Sequence, residues 1–110
     1  MIDACLVMTT CGTEKTALSI QAALVDQGLA ACVSLIPALK SYYYFEGKTH
    51  LDEEIQLYIK TRYSLFEKVS QLIADLHTYQ VPEILMFRID DASGPYLKWL
   101  EESTPGTAGA

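Results

Sequence analysis

Cys11 and His77 are the residues of this 110-residue chain whose types best suit a metal ion. Cys11 precedes Gly12 and the start of a helical pattern, where backbone N–H groups and the helix dipole would favour a thiolate able to take Cu(I) or react with oxidants. The competing reading is an inert, exposed thiol. His77 offers a neutral imidazole nitrogen, either to a metal or as a polar anchor in a cleft. It reads equally as a helix C-terminal residue contacting free carbonyls, since no second His or Cys lies within ligand spacing of it. Cys32 stands at the entry to an apolar strand and reads as a small core hydrophobe. Three cysteines are an odd number without CxxC spacing, which suits free thiols in a reducing, cytoplasmic setting. Catalytic constellations are absent: there is no nucleophile elbow, P-loop, GxGxxG or HExxH, and His50 has only Asp52, Glu53 and Glu54 for company. No enzyme is expected.

The elements that carry these residues follow from periodicity. Residues 2–9 form a short apolar run ending in Thr-Thr-Cys-Gly, a strand and a turn. Residues 13–27 take helical spacing, with Ala17, Leu18, Gln21, Ala22, Val25 and Leu29 three and four apart and Gly28 as the stop. Residues 31–36 and 41–45 make one long strand bent or bulged at Pro37. Glu46-Gly47-Lys48 turns it into an alternating strand with Ile55, Leu57 and Ile59 on one face, and the pair forms an extended hairpin. Ser64-Leu65-Phe66-Glu67 matches a capping box opening a second helix with the stripe Leu65, Val69, Leu72, Ile73 and Leu76. A fourth strand over 83–89 and a short helix over 95–101, with Pro95 near its first position, complete the order βαββαβα. Residues 1–102 are one domain; the small, polar stretch 103–110 has nothing to pack and is expected to be disordered.

This order is a split βαβ arrangement of α+β class, a four-stranded sheet with helices on one face. Yet the first strand is apolar on both alternating sets, Ile2, Ala4, Leu6 and Met8 against Cys5 and Val7, and so is the fourth. Two longer helices cover one face only, so the second must be buried by self-association. The net charge of −6 gives nucleic acid no electrostatic footing. The apolar run at residues 4–8 is too short for a membrane span or a signal peptide.

The segment Gly28-Leu29-Ala30-Ala31-Cys32-Val33-Ser34-Leu35-Ile36-Pro37 resembles the hallmark of the CutA family, the divalent-cation tolerance proteins. Four more blocks follow in the same order: Ser41 to Gly47, Glu54 to Thr61, His77-Thr78-Tyr79-Gln80-Val81-Pro82-Glu83-Ile84, and Tyr96 to Leu100. The resemblance covers the chain from about Asp3 to Glu102. It implies a ferredoxin-like βαββαβ antiparallel sheet with a short C-terminal helix, a homotrimer similar to the PII signalling proteins, and tolerance to copper and other divalent cations. The family usually has Trp, Asn and His-Pro-Tyr where this chain has Phe45, Ser34 and His77-Thr78-Tyr79; loss of the proline frees the backbone at Thr78. Family copper ligands fall on Thr9, Leu76 and His77 here, so one ligand of that set remains, with Cys11 as a substitute.

In such a trimer, Lys60 and Glu83 would form a charged pair lining an intersubunit cleft with Tyr79, Glu46 and Glu54, where a small ligand or ion would bind, or else ion pairs fixing the assembly. The tyrosines Tyr42 to Tyr44 suit interface contacts or stacking on a ligand, and Trp99 a cap over the sheet edge. The expectation is a cytoplasmic homotrimer, not an enzyme, that binds copper or another divalent cation weakly. The alternative is a PII-like signalling or scaffold trimer that binds a small metabolite.

Overall fold

The computed structural model describes residues 2–106. Strand β1 (Ala4–Cys11), helix α1 (Glu14–Asp26), strands β2 (Cys32–Phe45) and β3 (Lys48–Arg62), helix α2 (Phe66–Leu76), strand β4 (Leu85–Arg88) and helix α3 (Gly94–Glu102) follow in chain order. The sheet order is β2-β3-β1-β4 and every pairing is antiparallel. The two βα connections are therefore crossovers that place both long helices on one face, as the βαββαβα order predicts.

Local chemistry sets the boundaries. Thr13 caps α1, its hydroxyl accepting from the Thr16 N–H at 3.2 Å, and Gly28 ends the helix in the left-handed conformation at φ 68°. The β2–β3 hairpin turns on Glu46 and Gly47, both at positive φ, as a two-residue hairpin connection requires. Its ladder breaks between Ile36 and Leu39, so the predicted irregularity at Pro37 is a bulge, with Ala38 at φ 60°.

Three expectations are corrected. The capping box does not form: Tyr63–Leu65 is a 3₁₀ turn, Leu65 takes the N-cap position of α2, and no side chain caps either start. Ser64 lies inside that turn and so cannot act as a cap. In α1 the buried stripe is Ala17, Ile20 and Leu24, while Leu18 and Val25 are exposed; that helix is apolar on so many sides that spacing did not select the core face. Finally, the C-terminal stretch is packed where it can be described. Arg62 donates from Nε to the Thr104 hydroxyl at 3.0 Å and from its guanidinium to the Glu101 and Thr104 carbonyls, and Thr104 is fully buried. Gly106 N–H donates to the Gly28 carbonyl at 2.8 Å. Residues 107–110 of the expected tail lie outside the described residues. Trp99 is exposed and packs at an angle on Tyr96; Leu100 is the α3 residue in the core.

The core lies between the helices and one sheet face, where Cys5, Val7, Leu57 and Ile59 meet Ile20, Leu24, Val69 and Ile73. Ladder partners share a face, so Leu6, Met8, Leu85 and Phe87 lie together on the other side of the sheet with Tyr58 and Lys60. Neither long helix covers that side, and α3 meets β3 only at its Arg62 end. Phe87 remains 50% exposed, Leu85 45% and Ile36 42%. Among the described residues no helix is long and apolar enough to cross a membrane.

Candidate functional site

β4 pairs with β1 only as far as Met8, so the end of β1 has no strand beside it on that edge. The loop after α2 fills the gap with side chains. His77 donates from Nε2 to the Thr10 carbonyl at 2.7 Å, and its Nδ1 accepts from the Tyr79 N–H at 3.1 Å. This pairing assigns the neutral Nε2–H tautomer. Tyr79 then reaches across to donate its hydroxyl to Glu54 Oε2 at 2.6 Å. The loop thus gains from hydrogen bonds the anchorage that Thr78, in place of a proline, does not give its backbone.

Between this loop and the β2–β3 hairpin lies a cleft of about 560 Å³. Tyr43, Phe45 and Tyr79 supply aromatic surface, Glu54 and Glu83 supply carboxylates, and neither Lys, Arg nor His lines it. Glu54 is 7% exposed. Burial and then the bond to Glu54 hold the Tyr79 phenol well above its ordinary range. Of the five expected ligand-binding residues, Tyr79, Glu83 and Glu54 come together here. Lys60 and Glu46 do not. Lys60 is six residues along β3 from Glu54, about 20 Å away at ~3.3 Å per residue, in a groove with Leu6, Met8 and Phe87. Glu46 sits at the hairpin tip in the turn itself. No Lys60–Glu83 pair exists within the chain.

Gln56 is a cleft residue that the spacing did not single out, while Tyr43 comes from the run expected to make interface contacts or stack on a ligand. Gln56 donates from Nε2 to the Thr9 carbonyl at 3.0 Å, and Tyr43 donates its hydroxyl to Asp52. The bulge at Ala38 decides which tyrosine of the run faces the cleft, and no residue-type signal gives its phase.

Cys11 and His77 do meet, with Sγ and Nε2 3.8 Å apart. The other expectations for the cysteines change. Cys11 is fully buried, and burial, reinforced by the Glu54 carboxylate, pushes its thiol up to about 11. The helix dipole does not prevail over desolvation there. Cys32 pairs with Lys60 on the uncovered face rather than in the core, with Ser34 Oγ 3.7 Å away; Cys5 is the thiol that fills the core. For a soft metal ion the Cys11–His77 pair fits in ligand type and separation, because metal–sulfur and metal–nitrogen bonds of about 2.3 and 2.0 Å let one ion touch both. It does not fit in protonation, since the thiol must lose its proton and His77 must give up Thr10. Among the described residues no three His, Cys, Asp or Glu side chains converge on one point.

Thr9 faces the core with its hydroxyl buried and without a hydrogen-bond partner among the described residues. An unsatisfied buried hydroxyl costs about 1–3 kcal/mol. Thr9→Val, which keeps shape and suits a strand, is expected to raise unfolding stability by about 1 kcal/mol in urea titrations; a loss of stability would mean that the hydroxyl has a partner.

An antiparallel sheet with helices on one face, an apolar opposite face and an acid-lined cleft at its end define a small α+β domain. The sequence profile of the CutA1 divalent ion tolerance proteins matches residues 5–103. The divalent-cation tolerance protein CutA of Thermus thermophilus is 39% identical over 99 residues, 90% of this chain and 96% of that protein. The protein CutA homolog of Danio rerio is 38% identical over 98 residues, 89% of this chain but 65% of that protein, and the chain spans about half of the Mus musculus protein CutA. The crystal structure of CutA1 from Oryza sativa superposes with a TM-score of 0.92 at 32% identity, covering 96% of this chain and 97% of that one. The chain belongs to the CutA1 divalent ion tolerance family.

Proposed function

We propose that this chain works as a homotrimer of ferredoxin-like subunits, cytoplasmic and without catalytic activity, that takes part in tolerance to divalent cations by binding them weakly. The observation that carries the assembly is the uncovered apolar sheet face, with Phe87 half exposed on a strand that also pairs into the core sheet. In a trimer the three such faces would pack on one another, and the long hairpin would brace a neighbour.

Metal loading is proposed at the Cys11–His77 pair, with copper as the ion its ligands suit best. Weakness follows from the two costs on the page. A thiol near 11 must be deprotonated, and a hydrogen bond of about 0.5–1.5 kcal/mol net must be broken. Copper titration calorimetry on the assembled protein is expected to give weak, saturable heat that His77→Ala abolishes; unchanged binding in that variant removes His77 from the site. A cleft for an anionic metabolite, the PII-like alternative, is not favoured, because Lys60 lies far off and the acids of the cleft would repel such a ligand.

A further inference from the structure

The cleft beside Tyr79 has a chemistry that the Cys11–His77 pair does not share. Tyr43, Phe45 and Tyr79 line it with aromatic rings, and Glu54 and Glu83 with carboxylates. Both tyrosine hydroxyls already donate their hydrogen bond to a carboxylate, Tyr79 to Glu54 and Tyr43 to Asp52. What their oxygens offer a ligand is lone pairs only. Every charged or aromatic group that the subunit itself places around the cavity therefore favours a positive or proton-donating guest, and no cation of the same subunit lines it.

A bare divalent ion is the wrong guest for this space. The cavity, at about 560 Å³, falls in the range of small-molecule sites, and aromatic rings and Leu39 are not ligands for hard cations. No three His, Cys, Asp or Glu side chains converge there among the described residues. We propose that this cleft is a binding site for a small organic ammonium ion, its charge held by Glu83 and Glu54 and its carbon chain lying against Tyr43 and Phe45. The rings are set for that contact. His50 stacks on Tyr43 with centroids 5.2 Å apart and an interplanar angle of 15°, and the Tyr79 ring is fixed by its bond to Glu54. Little ordering is then left for the ligand to cause.

The inference stands apart from metal loading, because neither Cys11 nor His77 lines the cleft. The probe is 1,4-butanediammonium, titrated calorimetrically and by thermal shift into the protein as it assembles in solution, with 1,4-butanediol as the uncharged analogue and Mg²⁺ as the bare cation. The diammonium ion is expected to bind saturably and raise the melting temperature, while the diol leaves it unchanged. Glu83→Gln, at an exposed position, and Tyr43→Leu are each expected to weaken binding at least fivefold while melting within a few degrees of wild type. The proposal is overturned by any of these results: no saturable heat from the diammonium ion, equal heat from the diol, displacement by equimolar Mg²⁺, or unchanged affinity in both variants. Sedimentation of the same samples reports the assembly separately, so an empty cleft in a trimer and a failed trimer are distinct results.

Discussion

Phe87→Asp is expected to release a 12.2 kDa folded or partly folded species from an assembly of three times that mass, with a melting temperature well below wild type. Phe87 is half exposed on β4, and its ladder partner Leu6 is only partly covered. Around them Met8, Leu85 and Ile36 extend the same surface. Neither long helix can close over it, because both are already engaged with Val7, Leu57 and Ile59 on the opposite face. Full burial of a phenylalanine side chain contributes roughly 1.5–3 kcal/mol, and the proposed assembly would gain about half of that in each copy by covering the exposed half of Phe87. A carboxylate there would lose that gain and add the desolvation of a charge without a partner. Leu18→Asp is the control. Leu18 is equally exposed but lies on the flank of α1, so its substitution should leave the sedimentation coefficient unchanged. A wild-type chain that sediments at 12.2 kDa and stays folded would refute the assembly; a dimer would keep the face and refute the threefold arrangement.

What could be read beforehand follows a physical division. Period-2 alternation in β3 and the doubly apolar sets of β1 and β4 report burial directly, so the sheet, its two crossovers and its uncovered face were legible from residue types. The gathering of Tyr79, Glu83 and Glu54 was expected through the resemblance, and the structure brings those three together. Lys60 misled because it shares the polar register of β3 with Glu54, and register fixes a face but not a position along the strand. The Cys11 thiol misled in another way. Its place just before α1 suggested an exposed helix terminus, whereas it is the last ladder residue of β1 and points into the core. Sequence adjacency gives the dipole, but only packing gives the desolvation that outweighs it. The capping box failed for a similar reason: β3 runs on to Arg62, and the chain uses a 3₁₀ turn to reach α2, which moves Ser64 off the cap.

Those two buried thiols lead to the steepest pH effect expected of this protein. Burial pushes Cys5 up to about 11, slightly relieved by Arg88, and burial aided by Glu54 does the same to Cys11, from an ordinary value of 9.0. Below pH 9 both folded and unfolded chains keep these protons, so the stabilising difference is fully present. Between pH 9 and 11 the unfolded thiols ionise first and the unfolded state is favoured; stability is lost as pH rises through that window. A gap of this size amounts to a few kcal/mol for each thiol. Urea midpoints measured from pH 8 to 11 should therefore fall steeply, and in the Cys5→Ala, Cys11→Ala double variant the fall over that window should be largely gone. Tyr79, also held high by burial and Glu54, adds a smaller loss that begins nearer pH 10 and survives in the variant. Thiol labelling separates this account from a general alkaline weakening: at pH 8 Cys5 and Cys11, fully buried within the subunit, should react only at the rate of opening. If the double variant loses stability with pH as steeply as wild type, the protons that matter are not on these thiols, and the low metal affinity assigned to the Cys11–His77 pair loses its main physical cause.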